Sequence, residues 1–155
     1  MATPDFVLAL RAKIGNDPLW LMGVSAVVLR DSEVLLVKRA DTGAWTPVTG
    51  IVDPAEEPAT AAERETLEEA GVVARATALT WVHVIPPITY SNGDVSQYVD
   101  LTFRCDFVSG DPWPADGENT EAAWFDLDAL PDMEPDMVER IRTAVEFTGP
   151  ARFER

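Results

Sequence analysis

The chain has 155 residues, enough for one domain with a sizeable core. Its formal net charge of -15 argues against binding a nucleic-acid backbone or an anionic membrane surface. No apolar run reaches the roughly 18 residues of a membrane span, and residues 1–11 lack the basic-then-apolar pattern of a secretory signal. The single cysteine, Cys105, cannot form an internal disulfide and reads as a small core hydrophobe, so a cytoplasmic location is the default expectation.

Thr3-Pro4-Asp5 is a helix-start pattern, with Phe6, Leu10 and Ile14 on one side of the predicted helix and Gly15-Asn16-Asp17-Pro18 ending it. Residues 24–29 and 34–38 are apolar, β-rich runs around Arg30-Asp31-Ser32-Glu33 and read as a hairpin. Residues 45–49 make a short strand feeding Gly50. A helix is predicted over 58–70. Pro58 suits a first turn, residues 59–70 are mostly good helix formers, and Gly71 can adopt the left-handed conformation past a helix end. Residues 72–85 follow as a long strand or a pair of strands, interrupted by Pro86-Pro87. Asn92-Gly93 signals a tight hairpin turn, with 95–108 as the returning strand. Residues 110–117 form a loop and 121–127 a strand. Residues 136–147 are an amphipathic helix with Met137, Ile141 and Val145 along one side. Strands and helices mix without a regular βαβ alternation, which predicts an α+β or layered α/β architecture with a mixed sheet.

The chemistry concentrates in the helix over 58–70. Glu65, Glu68 and Glu69 stand at i, i+3 and i+4, so they share a face. Carboxylates turned toward one point repel one another unless a cation lies between them, and hard divalent ions take oxygen ligands. Arg64 is placed to pair with Glu68 or Glu56. Ala59, Ala62, Thr66 and Ala70 form a small-residue stripe that lets the helix sit close to a sheet. An Arg-Glu-x-x-Glu-Glu alone is a common solvated face. With Gly50, Glu56 and Gly71 at fixed distances, a chance match falls to on the order of one in a million.

The pattern from Gly50 through Glu56, Arg64, Glu65, Glu68 and Glu69 to Gly71 and Val72 resembles the signature of the Nudix hydrolases. Two positions depart from it: Thr66 stands where the family usually has an aliphatic residue, and Thr49 precedes Gly50 where a second glycine is frequent. The order of elements over 23–147 also looks like a Nudix domain. The resemblance implies an α-β-α sandwich, with 1–22 as an N-terminal helix and linker, 23–148 as the catalytic domain and 149–155 as a loose C-terminal tail.

It also implies a metal-dependent enzyme. Glu65, Glu68 and Glu69 would be metal ligands, with the Thr49 carbonyl, and Glu56 would join them directly or through water. Arg64 would orient a carboxylate. Mg2+ is the expected ion, with Mn2+ as the alternative. The base for a water nucleophile is expected from the box or a later loop. Residues 118–125 resemble a Glu-x-x-Glu-x-x-Trp-Phe stretch of relatives, and Glu118 is favoured over Glu121.

Substrate contacts are expected from Arg39, Trp45 and Trp113, though Trp81, Tyr90 and Tyr98 could also stack on a base. His83 reads as a hydrogen-bonded structural residue. The implied reaction is cleavage of the pyrophosphate bond in a nucleoside diphosphate linked to another group, as in ADP-ribose. Alternatives are a nucleoside triphosphate pyrophosphohydrolase and a non-catalytic nucleotide sensor. The complete set of charged box positions argues against the sensor. Family habit implies a homodimer.

Overall fold

A computed structural model describes residues 3–155; residues 1 and 2 of the expected leader lie outside the described residues. Strand β1 (Leu19–Arg30), which follows helix α1 (Asp5–Ile14), organises the sheet. Residues 23–28 of β1 are buried without a break. A strand covered on both faces needs no polar alternation, which explains the continuous run of small and apolar residues. One edge of β1 pairs in parallel with β7 (Val95–Ser109), from Leu19 beside Ser96 to Leu29 beside Asp106. That pairing extends β1 to Leu19, ahead of the expected start at 24.

The other edge of β1 is shared. The expected hairpin exists but is short, because β2 (Glu33–Arg39) meets β1 only at Leu29 and Arg30 and pairs mainly with β8 (Asn119–Asp126). The strand expected over 45–49 is divided into β3 (Trp45–Thr46), on β2, and β4 (Val48–Ile51), on β1. Pro47 stands at the break and has no N–H to offer a ladder. The division sets Gly50 opposite Val24 in the sheet.

Helix α2 (Pro58–Ala70) follows, and β5 (Val73–Val84) then runs antiparallel to β7. The short β6 (Ile88–Thr89) also pairs with β7. The turn between β6 and β7 is closed by a bond from the Tyr90 amide to the Asp94 carbonyl.

Two cores lie on opposite faces of this mixed sheet. Ala61, Ala62 and Ala70 of α2 pack with Val24, Ala26, Val28, Leu35 and Val37. Ile141 and Ala144 of α3 (Pro135–Val145) pack with Val27, Val34 and Leu36. The result is the expected α-β-α sandwich. Cys105 is fully buried in the α2-side core, as a small hydrophobe would be. The stripe on α3 is narrower than expected: Ile141 is buried, Val145 is exposed, and Arg140 is buried in its place.

Helix α1 departs from expectation in how it is held. Val7 is its buried residue and Leu10 is exposed, so the Phe6, Leu10, Ile14 stripe is not the docking face. A charged side chain fastens it instead. Arg11 donates to the Asp17 and Val95 carbonyls at 2.6 Å each, and to the Ser96 hydroxyl at 3.0 Å.

The C-terminal segment is also corrected: it is not loose throughout. Arg152–Phe153 form β9, which pairs in parallel with β5 at Trp81 and Val82. The Arg152 guanidinium lies 4.7 Å from the centre of the Trp81 ring, and the Trp81 indole donates to Glu154 at 3.0 Å. A cation over an indole face and an added strand supply the order that the bare tail sequence does not advertise. His83 stacks on the other neighbour of this arrangement, 3.5 Å from Trp81, with its Nε2 3.1 Å from Asp136.

Candidate active site

The residues over 58–70 form a helix with the predicted ends. Pro58 occupies the first turn, and Gly71 takes φ 66, the left-handed cap. Its inner face carries two buried acids, Glu65 and Glu69, which is an unusual cost for a helix facing a sheet.

Arg64 is the hub of the first group. Its Nε and Nη2 donate to the two oxygens of Glu56 at 2.8 and 2.9 Å, a two-point pairing. Its Nη1 reaches Glu65 at 2.9 Å and Glu68 at 3.1 Å, and its Nη2 the Ile51 carbonyl at 3.2 Å. The arginine thus ties the box helix to the loop ahead of it. The Glu56 carboxyl also accepts from the Asp53 amide, and its bonds to Arg64 hold it below the usual carboxylate range. Glu56 is therefore engaged as the partner of Arg64.

Glu65 is fully buried, and its Oε2 has no hydrogen-bond partner. Burial pushes its carboxyl up to about 7, against the pull of Arg64. Its position also explains Gly50: a Cβ there would lie 2.3 Å from the Glu65 carboxyl carbon. Thr49 sits beside Gly50 in β4, so its backbone borders the same carboxyl.

The second group forms around Glu69. Its carboxyl accepts from the Asn119 amide at 3.1 Å, and burial pushes it up to about 7. Carboxylate oxygens of Glu69, Asp116 and Glu118 lie within 4.8 Å of one another. The loop over 110–117 brings them there. Its Trp113 and Ala115 amides cap the Ala70 and Glu69 carbonyls at 3.1 Å each, satisfying the last turn of α2. The Ala40 amide then holds the Glu118 carbonyl at 2.8 Å.

The predicted site residues therefore divide. Glu56, Arg64, Glu65 and Glu68 form one network, and Glu69 and Glu118 meet in the other. Of the expected trio, Glu65 and Glu68 share Arg64 and Glu69 joins Asp116 and Glu118, while Glu65 stays within electrostatic reach of both Glu68 and Glu69. Arg39 is bound to both oxygens of Asp41, at 2.9 and 3.0 Å, within electrostatic reach of Glu69. Trp45 is not at the site: it packs edge-on against Phe125, 4.7 Å between ring centres, with the α3-side core. Trp113 lies at the C-terminal end of α2, where its indole fills the space beside Gly71.

Asp116 and Asn119 belong to the site without having been singled out by helix spacing. Their signal is local: Asn119 follows Glu118 in the Glu-x-x-Glu-x-x-Trp-Phe stretch, and Asp116 lies two residues before it.

A cavity of about 660 Å³ opens here, with Arg64, Glu68, Asp53 and Asp116 among its lining residues. The donor set is all oxygen, as hard divalent ions require. The unpartnered Glu65 oxygen and the Glu69–Asp116–Glu118 group fit such ions. Buried acids pushed upward are also what a carboxylate site looks like before a cation offsets its charge.

The α-β-α fold and an acidic group able to hold a divalent cation are those of a phosphoanhydride hydrolase. The sequence profile of the NUDIX domain matches residues 20–146, and the chain belongs to the Nudix family. It is 31% identical over 137 residues to a "MutT-like protein" of Streptomyces ambofaciens, covering 87% of this chain and 83% of that one. It is 32% identical over 111 residues to the NAD-capped RNA hydrolase NudC of Chromobacterium violaceum, covering 68% of this chain but only 37% of that protein. An ADP-ribose pyrophosphatase structure from Streptococcus suis superposes with a TM-score of 0.67 at 20% identity, covering 86% of this chain and 98% of that one. At that identity the likeness is one of fold.

Proposed function

We propose that this Nudix hydrolase cleaves the pyrophosphate bond of a nucleoside diphosphate joined to another group, with ADP-ribose as the type of substrate. The carrying observation is the charge of the cavity. Among the described residues lining it, Asp5, Asp53, Glu68 and Asp116 stand with one cationic side chain, Arg64. An anionic substrate enters such a site only with cations to offset both sets of charges. The name of the NudC relative points the same way over the part that matches, since NAD joins a nucleoside diphosphate to a further group.

In this reading Glu65, Glu68 and Glu69 hold Mg2+, with Mn2+ able to replace it. Glu56, with both oxygens on Arg64, joins them through water, together with the Thr49 carbonyl, and Asp116 is added to the set. The bound ions supply charge neutralisation and an acidified water. Arg64 fixes Glu56, Glu65 and Glu68 in place. Glu118, beside Glu69, takes the proton of the water that attacks one phosphorus in line as the bridging P–O bond breaks. The bridging oxygen leaves on the other phosphate. Arg39 is positioned to exchange Asp41 for a phosphate oxygen, and Trp113 to contact the substrate from the loop. The assembly proposed is a homodimer, checked by light scattering, and the location proposed is the cytoplasm, checked by fractionation of the producing cells.

The test is a substrate panel with Mg2+, run with and without chelator. AMP plus ribose 5-phosphate from ADP-ribose supports the reading. Nucleoside monophosphate plus pyrophosphate replaces it with triphosphate hydrolysis. Tight binding without turnover makes the chain a sensor.

A further inference from the structure

Helix α1 lies outside the signature, yet it reaches the reaction centre. Its C-terminal end is fastened far from the box, where Arg11 grips the start of β7. Asn16 abuts the β6–β7 turn so closely that a Cβ at Gly93 would lie 2.8 Å from its amide nitrogen. At about 1.5 Å per residue, α1 runs roughly 15 Å from that anchor. Its first turn arrives at the 660 Å³ cavity, which Pro4, Asp5 and Phe6 line together with Arg64, Glu68 and Asp116.

The lining of the cavity is charged at Asp5, Asp53, Arg64, Glu68 and Asp116 and apolar at Pro4, Phe6 and Pro54. Among the described residues, Phe6 is half-buried and belongs to neither core cluster. A phenyl group beside two rigid pyrrolidine rings offers a flat apolar surface at small entropic cost.

We propose that the first turn of α1 is a wall of the substrate cavity, and that Phe6 sets affinity by packing on a flat ring of the substrate while the diphosphate lies beside Arg64. The proposal rests on the reading of this cavity as the nucleotide site. It makes Phe6 a specificity residue that leaves the reacting bond untouched. Loss of its ring therefore weakens binding without slowing the chemical step.

The experiment uses the full chain. Phe6→Ala is expected to raise KM for ADP-ribose about tenfold with kcat within about twofold, and Phe6→Trp to restore it. Leu8→Ala, on the exposed side of the same helix, is the control and keeps wild-type constants. An unchanged KM in folded Phe6→Ala overturns the proposal while leaving the proposed reaction standing. If only nucleoside triphosphates are turned over, the substrate reading falls and the wall is judged by the same KM comparison on that substrate.

A second measurement is independent of turnover. Phe6→Cys introduces a thiol whose labelling is read against an inert background, because Cys105 is fully buried and burial pushes its thiol up to about 12. Protection of that thiol by ADP-ribose with Mg2+ upholds the wall, even in a chain that hydrolyses nothing. Labelling at an unchanged rate overturns it.

Discussion

The two faces of the sheet each bury charge, and they do so in opposite ways. On the α3 side, Arg140 donates to the Ser25 hydroxyl at 2.7 Å and to Asp100 at 3.3 Å, and reaches Asp136 at 2.6 and 2.9 Å. Asp100 also accepts from Ser25 and Thr102. Cation and anion close on each other there, with two hydroxyls on Asp100, although the neighbouring His83 keeps one ring nitrogen without a partner. Among the described residues on the α2 side, Arg64 is shared by three acids, and Glu65 and Asn119 each keep a buried oxygen without a partner. A closed network fixes the packing of α3. An open one stores unmet demand for a cation, and that is a condition for chemistry.

The largest effect that would sharpen this contrast comes from the open side. Glu68→Gln or Glu69→Gln is expected to lower hydrolysis on the order of a hundredfold to a thousandfold, with the unfolding midpoint unchanged or raised. Full activity in both variants would break the comparison. On the closed side, Arg140→Met should cost about 3–5 kcal/mol by urea denaturation, because Asp100 is left buried without its cation. The folded fraction should keep its turnover. Glu118→Gln is expected to lower kcat about a hundredfold while metal affinity falls far less, separable by calorimetry with Mg2+.

A pH test comes next. Glu65 and Glu69 both sit at about 7 when folded, above the ordinary carboxylate range. The folded state then holds protons that the unfolded state has released. Their stabilising contribution is complete at low pH and is lost as pH rises through 7. Metal-free protein should therefore melt lower at pH 8 than at pH 6, and Mg2+ should raise the midpoint more at pH 8. Equal metal shifts at the two pH values would contradict the open-network reading. The smallest effect belongs to Glu121→Gln. Glu121 pairs with Lys38 on the strand surface, so hydrolysis should change less than about twofold.

Legibility in the sequence followed the range of the interactions. Helix α2 was readable to its ends because Pro58 and Gly71 act within one turn. The Arg64–Glu68 pair was readable because i, i+4 neighbours meet on any helix, whereas the Arg64–Glu56 pair depends on the loop ahead of the helix. Asp116 and Asn119 were not, since they join Glu69 only when a loop some fifty residues downstream folds back onto the helix end. Trp45 was expected as a ring on which a base could stack, but Pro47 splits its strand from β4 and its ring packs against Phe125. The α1 stripe misled for a related reason: periodicity weighs apolar side chains, and the helix is fastened by a guanidinium.

Gly50 carries a consequence for anyone reading mutational tolerance from this chain. The residue has no functional group and touches no substrate in the proposed scheme, yet the Glu65 carboxyl occupies the space a methyl group would need. Gly50→Ala would thus score as a catalytic lesion in a screen, while the damage is a displaced acid behind it. The invariance that such a screen would record at Gly50 is the shadow cast by Glu65.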